Sequence, residues 1–258
     1  MASVISIAER HKYILSILKR DGYIRVADIA RDLDVTTVTV RKDFKQLEDM
    51  GLLYRTHGSA CPVNPHVADR NVSVKEQLNK PQKQAIADAA ARLIDTDDSI
   101  MIASGSTIYA FAEKIGPEHG AINVVTSSLK VSLILNGLEN VNVIQLGGAI
   151  HKKSLSVRGL SLSEFDRFTC SKLFIGVAGL DAEYGVTTSN LEEAELTRQM
   201  MSVCSKTIVL ADSSKFSRRG FGKICNLDQI HTVVTDSGCS ESMIKVMEEQ
   251  GIRVIIAK

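Results

Sequence analysis

The sequence lacks several features that define large classes of proteins. No apolar run approaches the ~20 residues that a helix needs to cross a bilayer, which excludes an ordinary membrane-spanning helix. The first ten residues hold neither an uninterrupted apolar core nor a small-residue cleavage site, so we expect no signal peptide. Net charge is almost absent too, with 31 Lys and Arg against 30 Asp and Glu. Any signal for nucleic-acid binding therefore depends on where the charges lie.

The cysteines form no recognisable motif. They are scattered, odd in number and lack C-x-x-C spacing, which argues against a disulfide framework and against a zinc site. The five are Cys61, Cys170, Cys204, Cys225 and Cys239. We therefore expect reduced thiols in a cytoplasmic protein, each packed as a small hydrophobic residue, and neither a metal nor a cofactor.

Three regions of different character follow one another along the 258 residues. A content of 44% hydrophobic and 24% charged residues is typical of a soluble globular protein with one or two domains. Residues 1–60 predict a first domain, and residues 83–258 predict a second. Residues 61–82 are predicted to be a linker, because they hold three of the four prolines and few bulky apolar side chains.

The first domain has the pattern of a winged helix-turn-helix. Residues 5–20 predict an amphipathic helix. A short second helix follows, with apolar side chains at helical spacing. These are Val26, Ile29, Ala30 and Leu33. Thr36 is a natural N-cap for a third helix that runs to about Met50, and residues 52–60 suit a hairpin or wing.

The third helix is predicted to carry a DNA-reading face. At 100° per residue, Val40, Phe44 and Leu47 fall together and must face the core. The opposite face presents cations, which suit guanine edges or phosphates in a major groove, and a valine methyl, which suits thymine. Threonines lie at the amino-terminal end, the part that reaches bases and phosphates in this motif. The predicted DNA-binding residues, ending with two from the wing, are Thr36, Thr37, Val38, Thr39, Arg41, Lys42, Lys45, Arg55 and His57.

The number of charges does not single out this face. Residues 1–60 carry ten Lys and Arg against eight Asp and Glu, a net charge of only +2. An ordinary solvated face is the alternative, because the same helix carries three acidic residues. These are Asp43, Glu48 and Asp49.

Residues 10–58 resemble the DeoR-type family of bacterial transcription regulators. The matching residues are Arg10, Ile14 and Leu18, then Thr36-x-x-Thr39-Val40-Arg41-Lys42-Asp43-Phe44, then Leu47-Glu48-x-x-Gly51 and Arg55-Thr56-His57-Gly58. Ser59 departs from the pattern, because the family usually has a second wing glycine there. Thr37 and Val38 occupy positions that vary within the family, so the resemblance implies that they select the operator.

The second domain predicts a mainly parallel sheet with helices on both faces. Short apolar runs alternate with helical patterns, as in other α/β proteins. The candidate strands are Ser99–Ala103, Asn123–Thr126, Asn142–Leu146, Lys172–Ile175, Thr207–Leu210, Thr232–Thr235 and Arg253–Ile256. The candidate helices are Ser106–Ile115, Leu129–Asn136, Leu191–Ser202 and Glu241–Gln250. Ligands bind such sheets beyond the carboxyl ends of the strands.

Glycine-rich and hydroxyl-rich turns follow several of these strands and predict a ligand pocket. Hydroxyls and backbone N–H groups at Ser104–Thr107 suit a phosphate. Lys215 would neutralise that phosphate, and Asp181 or Glu193 would bind sugar hydroxyls. The predicted effector-binding residues are Ser104, Gly105, Ser106, Thr107, Gly147, Gly148, Asp181, Thr187, Glu193 and Lys215. The alternative for each is an ordinary loop or helix-capping role.

This second domain also resembles the carboxyl-terminal domain of the DeoR-type family, which looks like sugar-phosphate isomerases of the ribose-5-phosphate isomerase type. The resemblance implies a phosphorylated sugar as effector, usually an inducer that releases a repressor from DNA. Ala103 stands where many members carry an acidic residue before the Gly-Ser-Thr turn, so one acceptor for a sugar hydroxyl is missing.

Two other classes compete with a regulator. The isomerases that the domain resembles carry an Asp-Gly-Ala-Asp run, and proton transfer between carbons needs such carboxylates. Here the stretch reads Gly176-Val177-Ala178-Gly179, which predicts a binder rather than an enzyme. The other class is an architectural DNA-binding protein without a ligand, and the phosphate-type turns argue against it. A single reading head contacts few bases, so we also expect a homo-oligomer on double-stranded operator DNA, away from any membrane.

Overall fold

The chain folds into two compact units, Met1–His66 and Val67–Lys258. The computed structural model describes residues 5–21, 24–50, 52–56, 58–61, 71–159 and 162–258. In these ranges no helix combines the length and the apolar character that crossing a membrane requires.

The first unit is a three-helix bundle with a three-stranded antiparallel sheet. Its elements are α1 (Ile7–Asp21), β1 (Ile24–Arg25), α2 (Val26–Asp32), α3 (Thr37–Asp49), β2 (Tyr54–Thr56) and β3 (Ser59–Cys61). Strand β3 lies between β1 and β2 and pairs antiparallel with both. Ile14, Ile29 and Phe44, one from each helix, are fully buried in the core. This is the predicted winged helix-turn-helix.

Helix α3 begins and faces the core as its sequence predicts. The Thr36 side chain accepts a hydrogen bond from the Thr39 backbone N–H at 3.2 Å, which confirms the N-cap. Val40, Phe44 and Leu47 are each at most 1% exposed, which confirms the predicted core face. Helical geometry therefore turns four further residues of α3 away from the core: Val38, Arg41, Lys42 and Lys45.

The second unit is built on a seven-stranded parallel sheet in the order β15-β14-β12-β9-β4-β5-β6. Its sheet strands are β4 (Ser99–Ile102), β5 (Ile122–Thr126), β6 (Val141–Gln145), β9 (Cys170–Gly176), β12 (Cys204–Leu210), β14 (Thr232–Asp236) and β15 (Arg253–Ala257). Its helices are α4 (Val72–Gln77), α5 (Lys80–Ala91), α6 (Ser106–Ala112), α7 (Leu129–Leu135), α8 (Leu162–Phe165), α9 (Leu191–Ser202) and α10 (Glu241–Glu249). All seven predicted strands and all four predicted helices are confirmed, within a few residues at their ends.

Alternation along the strands divides the core of this unit into two layers. Leu173 and Ile175 on β9 pack into one cluster, whereas Phe174 between them packs into the other. Successive side chains of a strand point to opposite faces, so helices cover the sheet on both sides. This leaves the strand ends as the accessible edges of the sheet.

Two helices begin inside the segment that the sequence predicts to be a linker. Helix α4 lies at residues 72–77, and α5 begins at Lys80 with Pro81 in its first turn. Proline is tolerated there because the first helical N–H groups have no intrahelical partner. Residues 71–82 therefore belong structurally to the second unit.

A small antiparallel sheet replaces the turns predicted around residues 176–188. It consists of β10 (Gly179–Asp181), β11 (Gly185–Thr188) and β13 (Gly222–Cys225), in that order. A hairpin of β7 (Ala149–His151) and β8 (Ser156–Arg158) lies elsewhere in the unit. A Cβ on Gly179 would lie 2.2 Å from the Arg218 carbonyl oxygen. Glycine is thus needed there for close approach of two backbone segments, and not for a turn.

Candidate functional sites

The outward face of α3 is open. Val38 is 56% exposed, and Thr37, Arg41, Lys42 and Lys45 are exposed. In the part of the chain that the structure describes, none of the three cations forms an ion pair. Thr36 and Thr39 are joined through their hydroxyls at 2.9 Å at the start of the helix. This surface is therefore a free cationic face with one apolar side chain, that of Val38.

A buried ion pair holds α3 against α1. Arg10 Nε lies 2.8 Å from Asp43 Oδ2, and Arg10 Nη2 lies 2.9 Å from Asp43 Oδ1. The Arg10 and Asp43 side chains are 11% and 3% exposed. The remaining Arg10 nitrogen, Nη1, donates to the Ile5 carbonyl at 3.1 Å, and the hydrogen bonds with Asp43 raise the pKa of Arg10. Asp43 is therefore a buried structural group and not part of a solvated face.

The wing is tied to α3 by a second acidic residue. Glu48 accepts the Arg55 backbone N–H at 3.0 Å and lies 2.5 Å from Arg55 Nε. These two hydrogen bonds, the backbone one first, lower the pKa of Glu48. Arg55 is thus held on β2 beside the reading helix, whereas His57 lies outside the described residues. The Ser59 departure is accommodated in β3, because Gly58 supplies the positive φ of the wing, +78°.

In the second unit, several predicted residues lie at the carboxyl edge of the parallel sheet. Ser104–Thr107 follow β4 and lead into α6, with Gly105 as its N-cap and Thr107 buried. Gly147 and Gly148 join β6 to β7. Lys215 ends a short 3₁₀ turn after β12. All three segments therefore meet the expectation for ligand sites in open α/β sheets.

Asp212 organises the turn that carries Lys215. Its carboxylate is fully buried, and its Oδ1 accepts from Asn79 Nδ2 at 3.0 Å and from the Ser214 N–H at 3.1 Å. Its Oδ2 has no hydrogen-bond partner among the described residues and lies 4.0 Å from Lys215 Nζ. This turn therefore presents a lysine beside a carboxylate whose hydrogen-bonding capacity is only half used.

Lys83 is a buried lysine at the candidate site that the sequence analysis does not single out. It is 4% exposed, and its Nζ donates to the Lys75 carbonyl at 2.9 Å and to the Leu78 carbonyl. Burial lowers the pKa of Lys83, attraction by Asp212 opposes that shift, and repulsion by Lys215 adds to it. The signal was a lysine on the same helical face as the buried Ile86, Ala87 and Ala90. That signal is weak, because lysine stems often cover apolar surface.

A cationic cavity of about 140 Å³ opens beside Ser106. It is lined by residues of α4, of α5, of α6 with its C-cap, and of α7, namely Glu76, Gln77, Lys80, Lys83, Gln84, Ser106, Tyr109, Ala110, Glu113 and Lys130. Lys130 Nζ lies 2.7 Å from Glu76 Oε2 and 4.8 Å from the centre of the Tyr109 ring. Burial raises the pKa of Tyr109 to about 12. The cavity thus combines three ammonium groups, two carboxylates and the hydroxyl of Ser106, which is one of the predicted effector-binding residues.

Glu193 belongs to a polar cluster that the sequence did not reveal. Its carboxylate accepts from the Thr188 hydroxyl at 3.0 Å and lies 3.6 Å from His151 Nδ1. The same His151 nitrogen lies 2.8 Å from the Ser154 hydroxyl, which is 2.8 Å from that of Ser156. The β7–β8 hairpin therefore supplies hydroxyl and imidazole groups next to the predicted acid.

Asp181 and Thr187 have structural partners. Asp181 is buried, accepts the Tyr184 N–H at 2.8 Å and forms two contacts of 3.1 Å with the Arg219 guanidinium. The Thr187 hydroxyl donates to the Gly179 carbonyl at 3.0 Å and accepts the Gly220 N–H at 2.8 Å. These contacts hold the small antiparallel sheet together, and within the described residues none of them joins either side chain to Ser104–Thr107.

Together, a winged helix-turn-helix with a free cationic face and an α/β unit with a polar pocket define a DNA-binding transcription regulator with a sensor domain. The chain belongs to the DeoR family. Residues 10–65 match the model of the DeoR-like helix-turn-helix domain, and residues 78–237 match that of the DeoR C terminal sensor domain.

Curated relatives match over nearly the whole chain. The uncharacterized HTH-type transcriptional regulator YulB of Bacillus subtilis is 32% identical, with 96% of each chain covered. The putative aga operon transcriptional repressor of Escherichia coli O157:H7 is 30% identical, covering 98% of this chain and 95% of that one. The ribose 5-phosphate isomerase A structure from Methanocaldococcus jannaschii aligns with a TM-score of 0.41 and 16% identity, over 54% of this chain and 55% of that one.

Proposed function

We propose that this protein is a cytoplasmic, homo-oligomeric repressor of a carbohydrate operon that a phosphorylated sugar releases from its operator. The observation that carries the proposal is the free cationic face of α3, which the buried Arg10–Asp43 pair holds against α1. The names of two relatives support a carbohydrate operon as the target. One is the putative aga operon transcriptional repressor, and the other is a glycerol-3-phosphate regulon repressor.

The reading head would enter the major groove with the amino-terminal part of α3. Arg41 would meet a guanine edge, Val38 a thymine methyl, and Lys42 and Lys45 the phosphates. Arg55 would hold the flanking backbone from the wing. Two or more heads on repeated half-sites would supply the affinity that a single head lacks, which requires a homo-oligomer.

The effector would bind at the carboxyl edge of the parallel sheet. The phosphate would lie at Ser104–Thr107, with positive charge supplied by Lys215 and by the buried Lys83. The cluster around Glu193 would accept hydrogen bonds from the sugar hydroxyls. Charge-assisted hydrogen bonds of this kind are stronger than neutral ones, so the phosphate would dominate the affinity.

The proposal is tested by measuring binding of the purified protein to the DNA upstream of its own gene, with and without a panel of sugar phosphates. We expect specific binding that weakens steeply with salt and that one class of sugar phosphate abolishes. Failure to bind this DNA at low ionic strength would overturn the regulator, and DNA binding that no sugar phosphate alters would overturn the effector.

Replacing Lys215 with alanine is expected to leave operator affinity unchanged and to raise the effector concentration needed for release by at least tenfold. The reason is the loss of a cation that would pair with the phosphate, a contact worth roughly 1.5–3 kcal/mol. The matched control is Lys206→Ala, which removes an exposed lysine from the opposite end of β12. If the Lys215 variant released operator DNA at the same effector concentration as the native protein, the assignment of Lys215 to the phosphate would be refuted.

The sensor domain is proposed to bind its sugar phosphate without turnover. The stretch 176–179 offers no carboxylate, and the nearby Asp181 is engaged by Arg219. A base for proton transfer must be free to reach the substrate. An isomerase assay on pentose phosphates should therefore give the background rate, and turnover above it would reverse this part of the proposal.

A further inference from the structure

Residues 71–79, which we call the strap, pack only lightly on the sensor domain. They comprise α4 and the turn that leads into α5. Val72 is the single buried residue of this segment, whereas Val74 and Leu78 are 51% and 46% exposed. Segments with little apolar burial open locally at low free-energy cost. The strap therefore depends on its polar contacts.

Among the described residues, five residues of the sensor domain make polar contacts with the strap. The Lys153 carbonyl accepts the Val72 N–H at 2.8 Å, and Lys130 Nζ lies 2.7 Å from Glu76. The Asn79 amide donates to Asp212 at 3.0 Å and to Ser214 at 3.1 Å, and Lys83 donates to the carbonyls of Lys75 and Leu78. Three of these five partners are charged side chains: Lys130, Asp212 and Lys83. All three lie in the cavity or at the turn that carries Lys215.

An anion in the cavity can compete with the strap for the ammonium group of Lys83. Its ammonium caps the carbonyls at the end of α4, which are neutral acceptors. A phosphate oxygen forms a shorter and stronger charge-assisted bond with an ammonium group than a carbonyl does. Burial also lowers the pKa of Lys83, and a nearby anion would relieve that cost. Lys130, in contrast, already has a carboxylate partner in Glu76.

We infer that the strap is a release device: an anionic effector in the cavity draws the Lys83 ammonium away from the carbonyls of Lys75 and Leu78, and the strap detaches. This rests on the proposed effector site. In the sequence the strap follows the DNA-binding unit and precedes α5, and its detachment frees residues 71–79 from the sensor domain. Effector binding would thereby act on operator binding without touching α3.

The first test needs no ligand. In the full chain, Lys83→Met keeps an apolar stem of similar length and removes the ammonium group. We expect hydrogen exchange at the amides of residues 74–78 to become at least about tenfold faster, because a hydrogen bond to a charged group is lost. Lys80→Met is the matched control, since Lys80 lines the same cavity but donates no hydrogen bond to α4 within the described residues. Equal exchange rates in the two variants would overturn the strap.

Asn79→Gly provides a second variant in case Lys83→Met does not fold. Asn79 is exposed and has a φ of +51°, which glycine adopts freely. The substitution removes the amide contacts with Asp212 and Ser214 and leaves the cavity cations in place. Exchange of residues 74–78 should again accelerate by several-fold. Unchanged exchange would contradict the dependence of the strap on its polar anchors.

The second test uses inorganic phosphate as the probe, against chloride at equal ionic strength. Slower exchange at residues 104–107 together with faster exchange at residues 74–78 supports both the site and the release. Slower exchange at residues 104–107 with no acceleration in the strap overturns the release but leaves the effector site standing. No change in either segment overturns the effector site, and the release with it.

Discussion

Replacing Asp43 with asparagine is expected to lower the unfolding free energy of the DNA-binding unit by about 3–5 kcal/mol. The variant leaves the Arg10 guanidinium buried without a counter-charge, at a place where the side chains are only 11% and 3% exposed. The cost is that of a desolvated, unpaired cation and not merely of a lost hydrogen bond. The unit is small, so a loss of this size removes much of its stability.

Because the chain forms two compact units, a single two-state unfolding transition is not expected, and a local measurement is needed. Native-state hydrogen exchange of peptides from α1 and α3 reports the DNA-binding unit by itself. Asp49→Asn is the matched control, since Asp49 is exposed on the same helix and its replacement should change stability by less than about 0.5 kcal/mol. Replacing both partners, Arg10→Met with Asp43→Leu, should recover most of the loss. Indistinguishable exchange in the Asp43 and Asp49 variants would contradict the buried pair.

Replacing Arg41 with alanine is expected to weaken operator binding by about 1–3 kcal/mol, or about 5- to 150-fold. Arg41 is exposed on the outward face of α3 and has no ion-pair partner in the described part of the chain. A guanidinium that bonds both acceptors of a guanine edge discriminates against other bases. The loss should therefore be concentrated on operators that carry the preferred base, with effector binding unchanged.

Titration of labelled operator variants separates base reading from phosphate contact. If Arg41 reads a base, the alanine variant loses its preference at one position and keeps the salt dependence of the native protein. Lys45→Ala should instead weaken all sequences about equally and reduce the slope of affinity against salt by about one. Lys206→Ala, a lysine of the sensor domain, controls for net charge. Native affinity in the Arg41 variant would remove this residue from the reading face.

Sequence patterns found the elements of this protein because their signals are local. The 3.6-residue period placed Val40, Phe44 and Leu47 on the core side of α3, and the Thr36 cap marked its start. The parallel strands were found in the same way, from short apolar runs. The small antiparallel sheet was missed, because glycines that permit close backbone approach look like turn residues in sequence.

The candidate sites were predicted less completely, since their contacts join residues far apart in the chain. The sequence pattern left open that Asp43 belongs to a solvated face, whereas the structure pairs it with Arg10, 33 residues away. Asn79 and Asp212 are separated by 133 residues. Lys83 carries no local signature, because only packing distinguishes a buried ammonium group from a solvated one. Conversely, Thr187 matched the expected residue type but is engaged within the small sheet.

By itself, the sequence determined the winged helix-turn-helix, the outward composition of α3 and the order of the seven parallel strands with four of the helices around them, because periodicity and capping act over a few residues. Only the tertiary structure decided which polar groups are free and which are already paired. The free energy of a charged side chain depends on its burial and its neighbours, and those are set by contacts between distant parts of the chain.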